Sequence, residues 1–297
     1  VGKEDNNKLF SGMEHLGFHD VANIQLYSKE VKNNKETDGK DAKEKTEKSL
    51  LYDKEVTCPV CNTKFKARAV KVSAPRMVTK DSDFFIRYAN INPYYYDVWL
   101  CNSCGYAAMK RDFEHIKEYN FQRIRENITS RWRGKNYPEF YDVDISIERY
   151  KLSLLNYIAI NAKDSSKAMN CLKIAWMYRL KEDSENEKAF LTQALEGLES
   201  AYFGEDFPIY GMDKFSTMYL IGELSRRIGN YDKAMLWFSK VITTPAVNQK
   251  LKELARDQKD LIKEAKVVSE QHVHDVNNIN STVENKKGFF KYLFKLK

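Results

Sequence analysis

CPVC at 58–61 and CNSC at 101–104 place four cysteines, Cys58, Cys61, Cys101 and Cys104, in two CxxC pairs. A CxxC turn points both of its sulfurs to one side. Two such turns supply the four thiolates that a tetrahedral Zn²⁺ takes at about 2.3 Å. Pro59 fixes φ within the first turn. Gly105, directly after the second pair, supplies a residue free to adopt φ > 0, so that backbone amides can turn toward the sulfurs. Four thiolates with no spare histidine describe a closed, structural site. An iron centre of the rubredoxin kind would use the same ligands, and spacing does not separate the two metals. A redox dithiol is the rival chemistry, but it needs only one pair. The cytosolic context expected for this chain disfavours disulfides.

The elements around these pairs have to bring them together across a gap of 39 residues, Asn62 to Leu100. That exceeds the common spacing of about 15–20, so the ribbon carries an insertion, KDSDFFIRYANINPYYY. FKARAVKV after the first pair fits a strand. YYYDVWL, 94–100, reads as an aromatic strand leading to the second pair. Tyr94, Tyr95, Tyr96 and Trp99 are expected to pack rather than to stack on bases. Asp81 and Asp83 read as a solvated turn or a cap, and Asn92–Pro93 as a turn. Cys171, among Leu172, Ile174, Ala175 and Trp176, reads as a small buried hydrophobe.

From about 144 the pattern becomes helix, short turn, helix, with breaks at Asp164–Ser165, Pro208, Gly211, Gly229 and Pro245. Met218 to Pro245 fits a tetratricopeptide repeat. Gly222 takes the small position, Gly229-Asn230-Tyr231 the turn, Ala234 the close-packing position and Phe238 the apolar one. A weaker copy runs through Leu152, Leu155, Ala159, Ala168, Leu172 and Ala175, and one long helix at about 185–204 lies between. The expected fold is therefore α+β, mostly α: a small zinc ribbon with its insertion over 50–133, then an irregular tetratricopeptide-like helical-repeat array over 144–266.

Stacked hairpins leave a concave face suited to peptides. Glu223, Arg226 and Arg227 on one helix, with Arg179 on another, could clamp a carboxylate there. The alternative is intrahelical pairing of Glu223 with Arg226 and Arg227. There is no phosphate-binding glycine loop, Ser/His/Asp set or paired-carboxylate motif, so no enzyme activity and no small-molecule substrate are inferred.

The chain has 297 residues and a formal charge of +7. Most of that excess falls in KKGFFKYLFKLK, 286–297, which holds five lysines and no acid. On a helix Phe289, Phe290, Leu293 and Phe294 share one side, with Lys291 and Lys295 largely opposite. Such a tail suits an anionic membrane surface, a partner protein or docking onto the chain's own body. A broad basic face of the nucleic-acid-binding kind is not visible. A nucleic-acid reading would have to rest on Lys64, Lys66, Arg68, Lys71 and Arg76. Residues 1–30 hold a short amphipathic segment with Leu9, Phe10, Met13 and Leu16. The stretches 31–49 and 267–285 read as linkers, the first of them disordered by composition. VGKEDNNKLF carries no export pattern and no run approaches a membrane span. The expected location is cytoplasmic, peripheral at the inner face of the membrane if the tail binds lipid.

CPVC, the DSDF–Y–NP–Y run, CNSCGYA, AMNCLKIAWMYR, YLIGELSRRIG and ARDQ together resemble the bacterial proteins catalogued as domain of unknown function 2225. The resemblance covers about 50–262. It implies a cytosolic bacterial protein with tetratricopeptide-like character and carries no assigned activity. The matching positions are the four cysteines with Asp81, Asp83, Asn92, Trp176, Arg179, Glu223, Arg226 and Arg227, none with a given role. The function expected from residues and resemblance is a zinc-binding adaptor with a groove for a protein or peptide. An enzyme built on Asp81, Asp83 and the three arginines would require those side chains to converge.

Overall fold

The computed structural model describes residues 14–17 and 49–267. Leu9, Phe10 and Met13, the expected linkers at 31–49 and 267–285 apart from residues 49 and 267, and the tail with Phe289, Phe290, Lys291, Leu293, Phe294 and Lys295 lie outside them.

Strands β1 (Leu51–Thr57) and β2 (Lys64–Val70) form an antiparallel hairpin in register from Leu51 opposite Val70 to Thr57 opposite Lys64. The first CxxC pair makes its turn. Alternation along the strands sends Val56 and Ala67 into the core. The opposite face sets Lys66 across from Glu55 and Arg68 across from Asp53. Lys64 lies 3.7 Å from Glu55, and Arg68 lies 3.2 Å from Asp53. The basic residues of β2 thus meet acids directly across the ladder, which locally offsets the field a polyanion would need.

Strands β3 (Met77–Lys80) and β4 (Ile86–Tyr88) make a second antiparallel pair, with a bulge between Met77 and Thr79. Strands β5 (Val98–Leu100) and β6 (Ala107–Met109) make the third, with the second CxxC pair in its turn. The strand expected over 94–100 is therefore only half right. Pro93–Tyr96 is a 3₁₀ turn, because Pro93 presets its first φ and the Asn92 side chain accepts from Tyr94 N at 3.0 Å. Tyr96 and Trp99 are buried, and Tyr94 packs on Phe85 and Trp176.

A short helix α1 (Phe121–Ile124) runs on into a π turn, Arg125–Thr129. Then follow α2 (Val143–Ala159), α3 (Asp164–Leu180), α4 (Ser184–Gly204), α5 (Lys214–Arg227), α6 (Tyr231–Thr243) and a helix over 249–267, α7. The side chains of Asp142, Asp183, Asp213 and Asn230 accept from backbone amides three residues on and so fix where α2, α4, α5 and α6 begin. From α2 to α6 each helix packs on its predecessor, and the connections, short except for the longer one between α4 and α5, give antiparallel neighbours. None of the described helices is long and apolar enough to cross a membrane.

Helix α2 lies against β5 and β6 and ties the strands to the helices. Arg149 Nη2 donates to Val98 O at 2.7 Å, and Met109 N donates to Tyr157 Oη at 3.2 Å. One apolar core runs from Val56 and Trp99 through Tyr106 and Phe113 to Leu154, Leu172 and Phe238. Leu16 enters it fully buried, held by Arg133 N donating to its carbonyl at 3.2 Å. Cys171 is also fully buried, and burial pushes its thiol well above the ordinary range.

Close approach of α5 and α6 depends on Gly222. A Cβ built there would sit 2.9 Å from the Phe238 ring and 3.3 Å from Trp237 Cβ. Gly222→Ala is expected to cost about 1–3 kcal/mol through overpacking, read as a lower urea midpoint. Gly204→Ala is the control. Nothing lies within 4 Å of a Cβ at that site, so reduced unfolded-chain entropy should leave stability equal or slightly higher.

Candidate metal centre

The two CxxC turns have the same backbone. Asn62 N donates to Cys58 O at 2.9 Å, and Gly105 N to Cys101 O at 2.8 Å. Cys58 N donates to Thr63 O, and Cys101 N to Tyr106 O, both at 2.9 Å. The residue after each second cysteine has a left-handed backbone, Asn62 at φ 59° and Gly105 at φ 75°. Asparagine and glycine are the residues that tolerate this conformation best.

The four sulfurs all lie within 4.8 Å of one another. Cys58 Sγ is 3.7 Å from Cys104 Sγ, and Cys61 Sγ is 3.5 Å from Cys101 Sγ. A disulfide would require about 2.05 Å. A tetrahedron with 2.3 Å metal–sulfur bonds has edges of about 3.8 Å, so the spacing fits a coordinated ion. Cys58, Cys101 and Cys104 are buried and Cys61 is exposed at the rim. The neighbouring Cys104 and Cys58 hold the Cys101 thiol below the ordinary range. The proximity of Cys101, with burial adding to it, pushes the Cys58 and Cys104 thiols up. A divalent cation would take all four as thiolates.

Side chains well downstream brace the turns, and these were not singled out from the sequence. Arg125 Nη2 donates to Val60 O at 3.1 Å, Thr129 Oγ1 to Cys104 O at 2.8 Å, and Trp132 Nε1 to Asn102 O at 2.7 Å. Trp132 also closes over Gly105, where a Cβ would fall 2.7 Å from its Cγ. Gly105→Ala combines this clash with an unfavourable φ. It is expected to lower the thermal midpoint and to speed metal loss to a chromogenic chelator.

A second cluster lies in the insertion. The chain between β3 and β4 turns with Asp81 N donating to Phe85 O at 2.7 Å, and Phe84 adopts φ 70°. This presents Asp81, Ser82 and Asp83 to α3 and α5. The solvated turn expected here is overturned: Asp83 is 0% exposed. Arg179 from α3 donates to Asp81 Oδ2 at 2.9 Å and to Asp83 at 3.0 and 2.6 Å. Its Nε donates to Glu187 at 2.7 Å, and Trp176 Nε1 donates to Asp83 Oδ2 at 3.0 Å. Arg87 grips Asp81 with two bonds of 2.9 and 3.0 Å. From α5, Glu223 accepts from Arg226 (2.8 and 2.8 Å), Arg227 (2.7 Å) and Ser82 (2.6 Å).

Burial pushes the Asp83 carboxyl up, but the Arg179 hydrogen bond and the Arg227 and Arg179 charges hold it below the ordinary carboxylate range. For Asp81 burial is likewise outweighed, here by Arg87 and Arg179. Asp81, Asp83, Arg179, Glu223, Arg226 and Arg227 therefore do converge, but as mutually neutralising partners. The acids and arginines of this cluster are hydrogen-bonded to one another.

On the outer side of the cluster an open groove of about 590 Å³ lies between the start of α4 and the α5–α6 turn. Lys188, Leu191, Arg226, Arg227 and Tyr231 line it, with the acids Glu185 and Glu187. Glu223 and Arg179 stand behind the lining; their side chains are 0% and 9% exposed.

Residues 51–262 match the family described as "Uncharacterized protein conserved in bacteria (DUF2225)". A protein of Borreliella burgdorferi (strain B31) named "Uncharacterized protein" is 22% identical over 228 residues, covering 62% of this chain and 80% of that protein. No solved structure matches. With most of its length, including all four clustered cysteines, inside the matched span, the chain belongs to the domain of unknown function 2225 family.

Proposed function

We propose that the chain is a zinc-stabilised, non-enzymatic adaptor whose helices hold a protein or peptide segment in the groove beside Arg226 and Arg227. The observation that carries this reading is the groove itself. It offers Lys188 and two arginines, an apolar floor at Leu191 and an aromatic wall at Tyr231, which suits an extended segment ending in or carrying a carboxylate. Arg226 spends Nε and Nη2 on Glu223 and so comes preorganised. A tetratricopeptide-like character for the helices draws support from the Gly222–Phe238 approach, the buried Ala234 and the Asn230 turn. Four thiolates favour zinc, with iron as the alternative. The pairing of every acid in the Asp81–Glu223 cluster with arginine supports binding over catalysis. The matched acids and bases across β1 and β2 weigh against nucleic acid as the partner. We place the adaptor in the cytoplasm, with the 286–297 tail as its contact to the inner membrane face.

A photo-crosslinking residue at position 188 should capture one defined protein in cells, and Tyr231→Ala should abolish the adduct while leaving the fold intact. A crosslinker at Lys252, away from the groove, should not capture it. Identical adduct patterns from both positions would remove the groove as the binding site.

A further inference from the structure

We infer that the stretch from Lys71 to Lys80 is a folded contact for an anionic membrane surface, separate from the groove and from the tail. Here Val72 is 100%, Met77 64% and Val78 62% exposed, the most exposed run of apolar side chains among the described residues. Lys71, Arg76 and Lys80 are exposed in the same stretch, and KVSAPRMVTK contains no acid. This differs from β2, where the cations face Asp53 and Glu55. Among the described residues Lys71 Nζ bonds a backbone carbonyl, that of Ser49 at 2.7 Å, and Lys80 Nζ lies 4.4 Å over the Phe84 ring. Neither contact neutralises a charge.

Strand β3 is exposed at all four positions, so burial does not explain its apolar residues. One occupant of such a strand would be an added β-strand. The local chemistry opposes that, because Pro75, the bulge after Met77 and the flanking cations are devices that block edge pairing. Apolar tips set among cations that make no ion pair with a described residue, the adjoining Asp81 being taken up by Arg87 and Arg179, instead match the headgroup boundary of a lipid leaflet bearing negative charge. The occupant proposed is therefore anionic lipid.

The full chain should sediment with vesicles of phosphatidylglycerol and phosphatidylcholine, and not with phosphatidylcholine alone, in a salt-sensitive manner. Each neutralised cation should weaken binding roughly five-fold, so K71Q/R76Q/K80Q should lose on the order of 100-fold. V72S/M77S/V78S, which leaves charge untouched, should also weaken binding. All six positions are exposed, so both variants should keep the parent's melting point and metal content. Full binding by both variants would overturn the proposal and leave the tail as the membrane contact. So would absence of vesicle binding by the parent. The proposal also fails if soluble polyglutamate competes as well as vesicles while the serine variant binds like the parent; the surface would then serve an acidic protein.

Discussion

Cys104→Ser is expected to abolish stoichiometric metal and to unfold the strand region. The parent, purified without a tag, should carry about one ion per chain by elemental analysis. Structural zinc contributes on the order of 10–16 kcal/mol in small metal-folded peptides. An ordinary domain has about 5–15 kcal/mol in total, so loss of one ligand removes a term as large as the whole. The damage should spread to the helices, because Cys101 and Cys104 share a core with Leu154 and Leu172. Chelation of the parent should likewise expose residues 50–110 to protease. Cys171→Ser provides the contrast, since that thiol is buried outside the cluster. It should retain the metal and lose stability only through its buried hydroxyl. A parent without stoichiometric metal, or one equally protease-resistant after chelation, would exclude a structural ion.

The second large effect is Arg179→Gln. It leaves Asp83, 0% exposed, without its strongest partner, and breaking such a pair from one side costs about 3–5 kcal/mol. The pH dependence gives this a signature. In the parent the Asp83 carboxyl is held below its unfolded value. Its contribution is present above about pH 3.9 and is lost only as pH falls through the lower folded value. In the variant burial dominates, the folded value rises above the unfolded one, and protonation favours the folded state. The deficit measured by urea unfolding should therefore shrink between pH 7 and pH 4. Adding Asp83→Asn to Arg179→Gln should recover part of the loss, since the orphaned charge is gone. A deficit that does not change with pH would show that Arg179 acts by packing alone.

The metal centre was legible because its information is local. Cys58, Cys61, Cys101 and Cys104 announce their chemistry by spacing, and Gly105 announces the backbone that the knuckle requires. The helices were legible for a similar reason, through periodicity and capping residues such as Asp183 and Asn230. The Asp81–Ser82–Asp83 turn was misread as solvated because what buries it lies at Trp176, Arg179 and Arg227. Only the family resemblance linked these positions. No periodic pattern in a three-residue acidic turn reports a partner nearly a hundred positions away. Tyr94–Tyr96 reads as strand by β-propensity, whereas the turn legible at Asn92–Pro93 in fact extends through Tyr96. The bracing of the cysteine turns by Arg125, Thr129 and Trp132 left no mark on composition, since their partners are backbone carbonyls.

The reach of the insertion bears on how the protein assembles. Ser82 bonds Glu223 across 141 positions, and Asp83 bonds Arg179 across 96. The two cysteine pairs close only 40 to 46 positions. Loop-closure entropy rises with length, so distant pairings are rewarded last. The ion-binding turns can form early and the helical hairpins can form locally. The bonds of the acidic turn are therefore expected to close after these local contacts, fastening strands and helices that α2 and the common core already join.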